Sequence, residues 1–170
     1  MTMTLTALIF IIVIAGGGIW LLKKLYDKES INVPSVRAGG LSEHIAQPAA
    51  KAYCISPLEK FYYEGKRIDP RKYIVARVDG DCMSPRGIYP GNLIFVQSRN
   101  DKEMELQKGD ILYIQYQRDG FNGFKIREYC GESDDQGYVT TAYYSAEGMT
   151  KLSQHKKENI KGIVKYNFSV

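Results

Sequence analysis

Val78-Asp79-Gly80-Asp81-Cys82-Met83-Ser84-Pro85-Arg86-Gly87-Ile88-Tyr89-Pro90-Gly91-Asn92-Leu93-Ile94-Phe95-Val96 is the stretch of this 170-residue chain whose reading decides the fold. It enters from a β-branched and aromatic run at 73–78 and breaks at Asp79-Gly80-Asp81, a turn signal. It resumes through Pro90-Gly91-Asn92 into the apolar run 93–96. The same grammar repeats downstream. Residues 110–116 follow Lys108-Gly109 and close at Asp119-Gly120, and 124–129 alternate around Lys125, Arg127 and Glu128. Residues 138–144 and 160–168 complete the series. Turn signals at such short intervals, with no long helical period, predict a mainly β domain over 73–170, either a mostly antiparallel sheet or a partly open barrel. Thirteen tyrosines, concentrated in these runs, suit strands with one wet face.

Upstream, 25–72 reads as a flexible linker and lead-in. Residues 30–50 hold Pro34, Gly39, Gly40 and Pro48 among few large apolar side chains, the composition of a connector. Residues 56–63 fit a short helix or a strand equally well. Earlier still, 5–22 reads LTALIFIIVIAGGGIWLL without a charge, near the short end for crossing a bilayer. Trp20 sits where an interfacial aromatic belongs, and Lys23 and Lys24 follow at once. A cleaved signal peptide wants its positive charge before the apolar core, not after it. Residues 1–24 are therefore expected to be a single-pass transmembrane helix. Lys23, Lys24, Lys28 and Arg37 outweigh the uncharged side chains of the leader 1–4, so the positive-inside rule puts the large domain in the cytoplasm, on a bacterial-type inner membrane.

Composition removes several function classes. With 44% hydrophobic and 25% charged residues, wholesale disorder is not expected. The net charge of +4 is spread along the chain without a basic stripe, so no nucleic-acid partner is implied. No helix-turn-helix pattern precedes the β domain. Cys54, Cys82 and Cys130 form no CxxC pair, and only His44 and His155 could join them at a metal, so neither a metal nor another cofactor is expected. An odd number of cysteines also suits free thiols in a reducing compartment better than a disulfide framework.

The opening stretch resembles the nucleophile segment of the LexA-like and signal-peptidase-like Ser–Lys peptidases, roughly G-D-S-M-x-P followed by P-G-D and an apolar strand. Gly80, Asp81, Met83, Pro85, Pro90 and Gly91 match; Cys82 stands at the serine position and Asn92 at the later aspartate. Gly109-Asp110-Ile111, Phe124-Lys125-Ile126-Arg127 and Ile160-Lys161-Gly162-Ile163-Val164 resemble the family's next three signals, in its order. The resemblance covers 73–170 and implies a LexA/signal-peptidase-like β domain. It implies Cys82 as nucleophile and Lys125 as general base. Gly80 and Asp81 would aim the nucleophile, the Cys82 amide would hold the oxyanion, and Met83 would pack beneath the substrate chain.

The residue chemistry is compatible with those roles. A lysine base must be desolvated to shed its proton, and an apolar strand between Phe124 and Ile126 offers that if the side chain faces inward. A thiol is more acidic and more nucleophilic than a hydroxyl, yet a thiolate–ammonium pair is a stable resting state. LexA-like proteins commonly cut themselves at Ala–Gly in the linker ahead of the domain. Ala38-Gly39, within Val36-Arg37-Ala38-Gly39-Gly40-Leu41, lies in that place. Cutting there is expected to release the soluble domain from its anchor. Two alternatives stand beside this one. One is a catalytically degenerate domain acting as a membrane-tethered peptide-binding or assembly subunit, pairing as a homodimer. The other is signal-peptidase-like processing of other proteins.

Overall fold

Glycine and proline cut the chain into short runs, and the β-branched and aromatic runs between them form strands. The structure is a computed structural model that describes residues 30–37, 53–56, 58–99, 105–118, 121–144 and 148–169. The described strands are β1 (Ile31–Val33), β2 (Ser35–Arg37), β3 (Tyr53–Ile55), β4 (Phe61–Tyr63), β5 (Lys66–Ile68), β6 (Ile74–Asp79), β7 (Leu93–Ser98), β8 (Ile111–Arg118), β9 (Phe121–Glu132), β10 (Tyr138–Tyr144), β11 (Thr150–Lys156) and β12 (Ile160–Phe168). Single 3-10 turns occupy Pro70–Lys72, Ser84–Arg86 and Lys157–Asn159. The mainly β class is as the sequence implies. The apolar run 5–22 lies outside the described residues, and among those described no helix is long and apolar enough to cross a membrane.

The chain divides into two units. The smaller, within 1–32 and 54–59, holds Ile31, Asn32, Cys54 and Ile55 of β1 and β3, which pair as a two-stranded sheet. Residues 33–53 and 60–170 form the larger, with eight strands in the order β11-β10-β9-β2-β6-β7-β12-β8. An additional β8–β9 pairing closes six of them into a ring, β9-β2-β6-β7-β12-β8, and β10 and β11 extend it from β9. Every contact between neighbouring strands is antiparallel except that β2 runs parallel to both β6 and β9. The β4–β5 hairpin is a separate two-stranded piece.

β7 explains why its sequence does not alternate. Leu93, Ile94, Phe95 and Val96 are all fully buried, because both faces of the strand are covered. Ile94 and Val96 join Val36, Ala76, Val78, Met83, Ile88, Tyr113 and Ile126 in one core. Phe95 faces an aromatic cluster, its ring 4.9 Å from Phe61 and 5.0 Å from Phe168. A second core of Leu112, Ile114, Tyr129, Val139, Ile160 and Ile163 fills the side opposite Tyr113. At Gly162 the strands approach so closely that a Cβ would run into the Gln97 carbonyl and the Val96 side chain.

The stretch read as linker and lead-in carries the short strands β1 to β5, with β4 deciding 56–63 in favour of a strand, and β11 is a further strand that the pattern did not announce. β2 falls in the stretch read as a connector, and β11 (TKLSQHK) is too polar to stand out.

Candidate functional site

β6 delivers the chain to the Cys82 turn. Gly80 takes φ 91°, in the left-handed region that glycine enters without strain, and reverses the chain after Asp79. Asp81 C=O accepts from Ser84 N–H at 2.8 Å, and Met83 C=O accepts from Arg86 N–H at 2.9 Å. Gly87, at φ 75°, ends the 3-10 turn. Cys82 is thereby held half-buried on a tight turn, while Met83 beneath it is fully buried against the same core as Val36 of β2.

Contacts from β9 and β10 fix that turn. Tyr144 N–H donates to Cys82 C=O at 3.0 Å. The Tyr144 hydroxyl donates to Glu128 Oε2 at 2.9 Å, and Glu128 Oε1 accepts from Arg86 Nη2 at 2.9 Å. One carboxylate on β9 thus ties both sides of the Cys82 turn. Asn92, at the family's aspartate position, is buried; its Nδ2 donates to Asn167 Oδ1 at 2.8 Å, and Asn167 Nδ2 donates to Gly87 C=O at 2.8 Å. A neutral amide here clasps β12 to the end of the turn.

Lys125 is buried, 8% exposed, on the face of β9 opposite its apolar neighbours Phe124 and Ile126. Its Nζ lies 5.4 Å from the centre of the Tyr116 ring. Burial first, and the Arg127 charge second, pull its pKa from 10.5 to about 8. Gly123 makes room for Tyr116, because a Cβ there would meet the ring at 2.8 Å.

Strand β2 links the two halves of the site. Arg37 is in parallel register with Asp79 of β6, three residues before Cys82, and with Lys125 of β9. Ala38 and Gly39 come next and lie outside the described residues.

Two site residues, Arg127 and His155, were given no role at the site by the sequence. Arg127, 2% exposed, stacks its guanidinium 4.4 Å from the Tyr143 ring centre. Burial lowers its pKa, and the negative forms of Cys82 and Tyr143 oppose that fall, so Arg127 is an electrostatic neighbour of the thiol. Its two-residue offset from Lys125 on one strand was the available signal, since such residues share a face. His155, weighed only as a metal ligand, sits on β11. Its Nε2 is 3.1 Å from Ser153 Oγ, which is 3.1 Å from the Oγ1 of fully buried Thr141. Burial, then the charges of Lys125 and Arg127, bring its pKa from 6.5 to about 4, so it is neutral at pH 7.

The other thiols stand apart. Cys54 is exposed, and Cys130 Sγ lies 3.7 Å from the Glu128 carbonyl, with burial pushing its pKa up. Among the described residues no group of three metal-ligating side chains comes together.

No family model and no curated protein matches this chain. The arrangement therefore has to speak through its chemistry. It combines a half-exposed thiol on a rigid turn, an amine able to lose its proton just above neutrality and a fixed guanidinium. Beside them, the extended segment β2 runs parallel between the strand that leads to the thiol and the strand that carries the amine.

Proposed function

We propose that the chain is a membrane-tethered peptidase of the LexA-like and signal-peptidase-like kind that uses Cys82 and Lys125 to cut its own Ala38-Gly39 bond. The observation that carries this reading is the seat of β2, laid parallel between the strand leading to Cys82 and the strand bearing Lys125. Substrate-like, β2 presents Val36 to the core beside Met83. The Ala38-Gly39 bond follows Arg37 directly in the chain, so tethering supplies a high effective concentration.

Neutral Lys125 takes the Cys82 proton, and the thiolate adds to the Ala38 carbonyl carbon. The Cys82 amide holds the oxyanion. The Gly39 amine leaves with the proton from Lys125, giving a thioester on Cys82. Water, deprotonated by Lys125, hydrolyses that thioester and returns the thiol. Arg127 supplies a buried cation within the electrostatic reach of Cys82.

Intact-mass analysis of the full-length chain, incubated between neutral and mildly alkaline pH, tests this directly. A fragment beginning at Gly39, absent from Cys82→Ala and Lys125→Ala, is the expected result. An intact chain under every condition would sink it.

A second reading, a non-catalytic strand-binding or assembly subunit, draws on Asp81. Its Oδ1 accepts from the Cys82 thiol at 4.0 Å and so engages the sulfur. That reading predicts no cleavage and an unreactive Cys82.

A further inference from the structure

We infer that segment 33–37 is a bound ligand of the barrel, so that a cut after Ala38 leaves the N-terminal fragment seated on the domain through β2. The cut itself rests on the self-cleavage reading; the binding site rests on β2 alone.

β2 is the strand that joins β6 to β9 in the closed ring. Ser35, Val36 and Arg37 are in register with Arg77, Val78 and Asp79, and Arg37 also with Lys125. Arg77 N–H donates to Pro34 C=O at 2.9 Å. Val36 is 1% exposed, in a core with Met83, Ile88 and Ile126. All of these β2 residues precede the Ala38-Gly39 bond, and all of their partners follow it.

Hydrolysis adds one water across that bond, leaving a carboxylate on Ala38 and an amine on Gly39. It removes none of the β2 pairings and exposes none of Val36. The anchor fragment thus becomes the domain's first partner, an extended peptide with a β-branched residue in the Val36 seat. The product occupies its own site, which limits the protein to one turnover until β2 withdraws. Cutting and detachment are then separate events, and the second needs a force or a competing strand.

The test uses the full-length chain in detergent, carrying Cys82→Ala so that it does not cut itself. A recognition sequence for a specific endoprotease is inserted after Gly40. After complete digestion, size-exclusion chromatography is expected to show both fragments co-eluting one to one. The β1–β3 pairing also spans the cut, so the contribution of β2 is read from substitutions at Val36. Val36→Ala is expected to speed loss of the N-terminal fragment at least tenfold, and Val36→Asp to abolish its retention. Circular dichroism of the uncut variants checks that the sheet is folded; if Val36→Asp is not, Val36→Ala decides alone. Immediate separation of the digested parent, or unchanged retention in Val36→Ala, overturns the inference. Failure of the self-cleavage reading would appear elsewhere, as an uncut wild-type chain.

Discussion

Lys125 shows how one buried side chain governs both rate and stability. With its pKa drawn down to about 8, the neutral amine is a minor form at pH 7 and the dominant one at pH 9. Initial rates of appearance of the 39–170 fragment should therefore rise close to tenfold per pH unit below 8 and level off above it. Lys125→Ala should lower the plateau by about 10²–10⁴-fold, the usual contribution of a positioned base. Stability carries the same signature. Between pH 8 and 10.5 the unfolded chain holds a proton at Lys125 that the folded chain has lost, so stability rises with pH through that window. The move from 10.5 to about 8 corresponds to roughly 3 kcal/mol. Lys125→Met should consequently raise the melting temperature at pH 7 and lose that advantage above pH 10.5; an unchanged or lower value at pH 7 would show that the amine is not desolvated. His155 acts at the other end. Its pKa falls from 6.5 to about 4 on folding, so stability declines as pH drops through that interval. Thermal melts of His155→Asn should show a shallower decline there.

Elements hold these residues in place, and their failure modes differ. Glu128 ties the Cys82 turn to β9 through Arg86 and Tyr144. Arg86 is 40% exposed, so the ion pair adds little to stability. We expect Glu128→Gln to leave the melting temperature within a few degrees and slow cleavage about tenfold, because the turn loosens rather than unfolds. Gly162 behaves oppositely. A methyl there must push β12 away from β7, so Gly162→Ala should destabilise the fold by about 1–3 kcal/mol or more in denaturant titrations. At this scale the sequence was legible wherever an apolar run met a turn signal. The runs 138–144 and 160–168 coincide with β10 and β12, and the other four fall within a few residues of β6, β7, β8 and β9. β2 and β11 were illegible for separate reasons. β2 is three residues long, and only partners distant in sequence make it a strand. On β11, Thr150, Lys151, Leu152, Gln154 and Lys156 are exposed, leaving little apolar pattern to read.

For the larger unit as a whole, closure decides the ranking of local stability. β7 is buried on both faces between β6 and β12, whereas β11 has a single neighbour in the sheet order. Amide exchange should be slowest in β7 and the facing part of β12, and fastest in β11. Sequence by itself determined the β class and the glycine turn that carries Cys82. These follow from local rules: glycine's freedom at positive φ, the alternation of a strand and the need to bury apolar runs. Only the tertiary structure brought Arg127 to the thiol and His155 within the field of Lys125, and only it seated a stretch read as connector between β6 and β9. Those relations join residues far apart in the chain. They arise when the sheet curls and closes through β8 and β9, a step that no short window of sequence encodes.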